Sequence, residues 1–310
     1  MTGACRIGTR SSRLARYQTD RVAAMLKTAV PDIDIEIIPI ATTGDRITDI
    51  PLNQIGSQGL FTKELEHALL DNLIDIAVHS MKDLESTLPG GLTIGAVPER
   101  DDARDVIISE LHSSVEELPQ GSTVFTGSLR RRAQLMAARN DLIINDIRGN
   151  VETRIKKFHE SGAQALIMAA AGLRRLGLGD EIAGFIPVET ILPAVGQGAL
   201  AVEIRNDDNE AAELCRLIND EKRYAVAAAE RRFLQVLQGG CRVPIGGYGM
   251  LNDGTLELTG MVASLNGEDV VRKKTAGNPD DAEELGEKLA ETILQAGGRE
   301  IIDSFPDGSI

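Results

Sequence analysis

A clamshell of two α/β lobes followed by a smaller α+β unit is the fold this sequence predicts, on three observations. Apolar strand-like runs alternate with helical ones through the first two thirds of the chain. Two stretches, 97–105 ("VPERDDARD") and 192–205 ("LPAVGQGALAVEIR"), interrupt that alternation as hinges would. The last third changes to turn-separated strands flanked by long helices. Strand–helix alternation implies mostly parallel sheet with right-handed crossovers, whose ligands bind where strand carboxyl ends enter helices.

The elements follow in order. "CRIGTRSSRLARYQTDRVAAMLK" reads as a short strand, a serine cap and an amphipathic helix. Ile33 to Ile40 alternates as a half-buried strand, and Leu60 to Leu70 has helical spacing through Phe61, Leu65, Ala68 and Leu69. "IDIAVHS" is a buried strand ending at Met81-Lys82-Asp83. "TVFT" precedes the helix "GSLRRRAQLMAARN", "LIINDIRGN" precedes "VETRIKKF", and "ALIMAAAG" precedes "LRRLGL". A helix over Tyr224 to Leu237 leads to Gly239-Gly240-Cys241, followed by strands in "YGML-NDG-TLELTGMVASL-NGED-VVRKK" and an acidic helix from Asp280 to Gln295. No internal repeat stands out.

Bulk properties narrow the function. At 310 residues the chain exceeds one ordinary core. With 33 basic and 47 acidic residues the net charge is −14, which disfavours a general nucleic-acid binder. Sparse aromatics and the absence of Trp argue against stacking platforms for single strands. No window reaches the ~20 apolar residues of a membrane span. The first 27 residues are Arg-rich with Asp20 as their only acid, like a presequence, but strand, cap and helix assign them to the fold. Three widely spaced cysteines, Cys5, Cys215 and Cys241, fit a reduced, cytoplasmic protein.

Within this acidic chain, arginines gather at loop–helix junctions: Arg10 with Ser11-Ser12, Arg130-Arg131-Arg132 after Thr126 and Ser128, Arg148 with Arg154, and Arg174-Arg175. Each alone reads as a solvated helix residue. Four in one topology point to a polyanion site, because helix N-termini and Arg forks both suit carboxylates and phosphates. No P-loop or dinucleotide fingerprint is present, so carboxylates fit as well as phosphates. Asp83, by spacing alone, reads as a turn cap or a partner of Lys82; set among cations it could stabilise a developing cation or pass a proton. His79 reads as a packed strand residue, and the scattered histidines point away from zinc. Cys241 has flanking glycines that leave its sulfur approachable and an adjacent Arg242 that favours the thiolate, but a lone cysteine is more often a small core residue than a nucleophile.

Together these motifs resemble the hydroxymethylbilane synthase (porphobilinogen deaminase) family over nearly the whole chain. They run from "RIGTRSSRLA" through "TTGD", "GLFTKELE", "DIAVHSMKD", "GSLRR", "IRGNVETR", "AAAGLRRLGL" and "PAVGQGA" to "GGCRVPIG". The resemblance implies condensation of four porphobilinogen units, with loss of one ammonia each, on a dipyrromethane cofactor joined by a thioether. The matching attachment residue is Cys241. The matching catalytic carboxylate is Asp83, which would assist ammonia loss and stabilise cationic intermediates. Cofactor contacts fall on Lys82, Ser128, Arg130 and Arg131. Contacts to substrate and growing chain fall on Arg10, Ser12, Ser80, Thr126, Arg148, Arg154, Arg175 and Gln197. No metal is implied, and the family suggests a monomer. The implied fold is two lobes like type II periplasmic binding proteins, with mixed sheets around a cleft, plus a C-terminal α+β domain. The expected boundaries are 1–98 with 199–217, 103–193, and 221–310.

Three departures accompany the match. Gly56-Ser57-Gln58-Gly59-Leu60-Phe61 has Gln58 where the family usually has lysine, Phe125-Thr126-Gly127-Ser128 stands for Gly-Thr-Ser-Ser, and Glu85 replaces proline. They lead us to expect an active enzyme with weaker cofactor retention or altered elongation. The competing expectations are a non-catalytic carboxylate-binding clamshell and a degenerate paralogue that loads no cofactor.

Overall fold

A computed structural model describes residues 4–46, 59–238 and 243–305 of the chain. Gly56–Gln58 and Cys241 with its neighbours lie outside the described residues. The chain opens with β1 (Cys5–Arg10), β2 (Ile35–Ile40), β3 (Ile76–Ser80) and β4 (Leu92–Ala96). It crosses over and lays down β5 (Asp105–Ile108), β6 (Thr123–Phe125), β7 (Ile143–Asn145), β8 (Ala165–Ala169) and β9 (Gly184–Phe185). It returns with β10 (Leu200–Arg205) and ends in β11 (Ile245–Asn252), β12 (Thr255–Ala263) and β13 (Val270–Gly277).

The first sheet has the order β2-β1-β3-β10-β4 and the second β7-β6-β8-β5-β9. These are one topology used twice, a repeat invisible in the residues. In each, four strands run one way, three of them parallel neighbours linked through helices, whereas the strand that has just crossed between lobes, β10 or β5, runs antiparallel to both its neighbours. Mixed sheets therefore replace the mostly parallel ones that alternation alone predicts: a strand arriving from the other lobe has no crossover helix of its own to set its direction. The two crossings lie side by side, joined at Arg100↔Ala199 and by Asp101 N–H donating to Gly198 O at 3.0 Å.

Local sequence explains where the helices begin. Ser12 Oγ accepts the Ala15 N–H and starts Arg13–Ala29; Ser128 Oγ accepts the Arg131 N–H and starts Leu129–Ala138; Asn150 caps Val151–His159. The helix after β8 starts earlier than expected, at Ala170, and runs to Arg175. Each of these helix starts sits at the carboxyl end of a strand.

The third unit is the meander β11-β12-β13. Asp253 and Gly254 take positive φ at the tip of its first hairpin, the primed turn that matches strand twist. Helices Glu221–Leu237 and Ala282–Ile293 pack on it around the fully buried Phe233. Glu230, on the first of these, is fully buried and joins three regions. Its carboxylate accepts from Arg100 Nη1 at 2.7 Å, Gly196 N–H at 2.6 Å and Gly249 N–H at 2.6 Å, so both crossings and β11 meet on one side chain. Cys5 and Cys215 are buried in the first lobe, where burial pushes both thiols up to about 12 and makes them inert packing residues. His79 is a packed strand residue, as expected, and its Nε2 lies 2.9 Å from the buried Glu203 carboxylate.

Candidate active site

In the first lobe, Arg10, Ser12, Ser80 and Asp83 line one small pocket together with Gln18 and Phe61. Gln18 Nε2 donates to Ser80 Oγ at 2.7 Å, tying the first helix to the end of β3, and the Arg10 guanidinium lies 4.2 Å above the centre of the Phe61 ring. Asp83 ends a single 3₁₀ turn, Met81–Asp83, that follows β3 directly. Its side chain is exposed and forms no hydrogen bond or ion pair among the described residues. The turn-cap and Lys82-pairing roles that spacing suggests are therefore not formed. Lys82 keeps contact with solvent, yet the protein around it disfavours its charge. That desolvation, with repulsion from Arg131 and Arg130, outweighs attraction from Asp83 and Asp105 and holds its pKa down at about 8.

The second lobe contributes a cationic wall organised by one buried carboxylate. Asp105, the first residue of β5, is fully buried. Its Oδ2 accepts from Arg130 Nη2 at 2.8 Å, and its Oδ1 from Arg131 Nη2 and Gln197 Nε2, both at 2.8 Å. Burial alone would push this carboxyl up, but Arg130 and Arg131 outweigh it and hold Asp105 well below the usual carboxylate range. Arg130 also donates to Leu192 O at 2.5 Å, so its guanidinium is committed to the framework. Arg131 reaches Ile167 O at 3.3 Å but leaves its buried Nε–H without an acceptor. Thr126 is buried beneath Ser128, whose N–H donates to its Oγ1 at 3.4 Å.

Arg154 donates from Nε to Gly149 O at 2.7 Å. Desolvation, then repulsion from Arg131 and Arg148, lowers its pKa to about 10, against attraction from Asp83. Burial also depresses Arg148, with Asp146 opposing. Arg175 donates to Gly198 O at 2.6 Å on the returning crossing and keeps a buried Nε–H unpartnered. Gln197 donates to Ala103 O at 2.6 Å, and its buried Oε1 accepts nothing.

The structure thus brings Lys82 and Asp83 of one lobe into the field of Arg131 and Arg154 of the other. Arg175 and Gln197 stand at the crossings, while Arg10, Ser12 and Ser80 keep to the first-lobe pocket. Cys241 lies outside the described residues. Asp105, Gln18 and Phe61 were missed by sequence reasoning. Signals existed for the first two: a buried Arg pair needs a buried carboxylate, and a Gln on the apolar face of an amphipathic helix needs a partner.

Four crowded cations and buried N–H groups without acceptors describe a site short of anions. A dipyrromethane bearing acetate and propionate groups fits that deficit.

Two family models match the chain. "Porphobilinogen deaminase, dipyromethane cofactor binding domain" covers residues 5–213, and "Porphobilinogen deaminase, C-terminal domain" covers 224–295. Among similar curated proteins, the porphobilinogen deaminase of Syntrophomonas wolfei is 48% identical over 96% of this chain and 97% of its own length. That of Syntrophobacter fumaroxidans is 45% identical over 97% of each. That of Alkaliphilus metalliredigens is 46% identical over 96% of this chain and 95% of its own. A family model over residues 5–213 and relatives 45–48% identical over nearly the whole chain show that the chain belongs to the porphobilinogen deaminase family.

Proposed function

We propose that this protein is a hydroxymethylbilane synthase, condensing four porphobilinogen molecules head to tail into linear hydroxymethylbilane on a dipyrromethane primer held through Cys241. One observation carries the catalytic reading: Asp83 is an exposed carboxylate with no hydrogen bond or ion pair among the described residues, and it lies in the field of Arg154 of the opposite lobe. On this reading residues 1–98 with 199–217 form one lobe and 103–193 the other, and 221–310 carries the primer. The protein acts as a monomer in the cytoplasm.

The bound dipyrromethane supplies a pyrrole α-carbon as nucleophile. Lys82, Ser128 and Arg131 would hold its carboxylates, and Arg130 would brace Arg131 from behind through their shared partner Asp105. Arg10, Ser12, Ser80, Thr126, Arg148, Arg154, Arg175 and Gln197 serve the substrate and lengthening chain, several by direct contact and the buried Thr126 and Gln197 by shaping the loops. As the substrate's aminomethyl C–N bond breaks and ammonia leaves, the Asp83 carboxylate stabilises the positive charge spreading over the pyrrole. After the new C–C bond forms, the same carboxylate takes the ring proton and passes it to solvent. Arginines cannot do either task, and they bind carboxylates without competing for it. A non-catalytic clamshell or a degenerate paralogue would leave Asp83 in this position without a purpose.

The test is Asp83→Ala, loaded with primer as read by intact mass. Turnover of porphobilinogen should fall by roughly 10²–10⁴-fold, the range for loss of a positioned acid–base group. Near wild-type turnover would remove Asp83 from the mechanism.

A further inference from the structure

We infer that Arg231 is a positioning residue for this reaction, setting the helix that leads to Cys241 in register with the turn that carries Asp83. The inference rests on the roles proposed above for Asp83 and Cys241. Helix Glu221–Leu237 ends four residues before Cys241 in the sequence. Asp83 stands two residues before Glu85. Arg231 joins the two stretches: its Nη2 donates to Glu85 O at 2.8 Å and to Ser86 O at 3.1 Å. One helical turn further on, Gln235 Nε2 donates to Thr87 Oγ1 at 3.3 Å.

These are rungs on one helix face. Tyr224, Ala227, Arg231 and Gln235 are spaced by three, four and four residues, the repeat that aligns side chains along a helix. Tyr224 Oη donates to Ile94 O at 3.3 Å, and Ala227 packs with Met81 and Leu84 on either side of Lys82-Asp83. The opposite face, with Val226, Ala229, Phe233 and Leu237, belongs to the core of the third unit. The helix is therefore wedged between its own domain and the Asp83 turn.

Arg231 is suited to this by its chemistry. Its Nη2 carries two N–H groups and donates to two successive carbonyls, which fixes a sliding coordinate as well as a distance. Burial depresses the pKa of the Arg231 guanidinium, against attraction from the fully buried Glu203 carboxylate and from Tyr224. A primer grown from Cys241 must present its free carbon to Asp83, and a displacement near 1 Å in such an arrangement can cost about 10²-fold in rate.

The experiment compares Arg231→Met and Arg231→Lys with wild type, reading primer loading by intact mass, kcat and KM for porphobilinogen, and amide hydrogen exchange of the 81–88 segment. Arg231→Met should load primer, lose roughly ten- to a hundredfold in kcat with KM within about twofold, and lose exchange protection at Leu84–Leu88. Arg231→Lys should recover part of both, and Arg216→Met, an exposed helix arginine paired with Glu213, should change neither. Loaded Arg231→Met with wild-type kcat overturns the inference, as does a loss of thermal stability with kcat unchanged. If Arg231→Met does not fold, Arg231→Lys and Gln235→Leu decide: wild-type kcat in both overturns it. Asp83→Asn run alongside separates the two levels. Wild-type turnover in Asp83→Asn defeats the role given to that carboxylate, whereas an inactive Asp83→Asn with normal Arg231→Met defeats only the present inference.

Discussion

Replacing Asp105 by Asn should destabilise the protein by about 4 kcal/mol, because it strands two buried guanidinium groups. The Asp105 side chain is fully buried, and its Arg130 and Arg131 partners expose only 6% and 8% of theirs. Breaking a buried ion pair by removing one partner costs roughly 3–5 kcal/mol, since the remaining charge is left uncompensated in a poor solvent. Here one carboxylate serves two cations and also accepts from Gln197, while Asn retains one acceptor and some solvent contact remains at the arginines. The middle of that range is therefore the appropriate figure. At about 2 °C per kcal/mol for a chain of this size, the melting transition should fall by roughly 8 °C. The pH dependence gives an independent arm. Asp105 titrates well below its unfolded value near 4, so on acidification the unfolded chain takes up the proton first. The stabilisation is complete above about pH 4 and is lost as pH falls towards the folded value. Thermal unfolding of wild type and Asp105→Asn between pH 3 and 7 reads both effects: the gap should be widest near neutrality and begin to narrow below about pH 4. A loss below about 1 kcal/mol at pH 7, or a gap that widens in acid, would refute the reasoning.

Two further expectations concern the cationic site and one altered loop. Lys82, with its pKa held near 8, loses charge as pH rises through that value, so KM for the carboxylate-bearing substrate should climb above pH 8 and Lys82→Arg should flatten the profile; identical profiles would contradict it. Gly127→Ser restores the residue common in the family, yet a Cβ at position 127 would meet Ile147 O at 2.8 Å. It should therefore cost about 1–3 kcal/mol in thermal unfolding, and an unchanged melting temperature would show that the loop yields freely.

Residues that act through local sequence were legible before the structure. Ser12 and Ser128 announce helix caps by type and position, and the arginines beside them mark strand carboxyl ends. The alternation of "IDIEIIPI" gives β2, with its start two residues late because Ile33 and Asp34 precede the pairing with β1. What depends on distant partners was not legible. Asp105 sits in "ERDDARD", which reads as a charged linker, and only the arrival of Arg130 and Arg131 from 25 and 26 residues away turns it into the centre of a buried cluster. Glu230 looks like one more charged position on a long helix until Arg100, Gly196 and Gly249 converge on it. The antiparallel direction of β5 and β10 follows from where the chain crosses, which no strand's own composition records. Asp83 was the intermediate case: the motif selected the residue, but its exposure and the lack of a bonding partner among the described residues came from the fold.

The central claim is that the cleft works on a primer tethered to Cys241. Intact-protein mass spectrometry of the purified chain tests it most directly. The account predicts a covalent addition equal to two linked pyrroles, present in wild type and Asp83→Ala and absent in Cys241→Ser. An unmodified mass in wild-type protein that turns over porphobilinogen, or the same addition in Cys241→Ser, would contradict it.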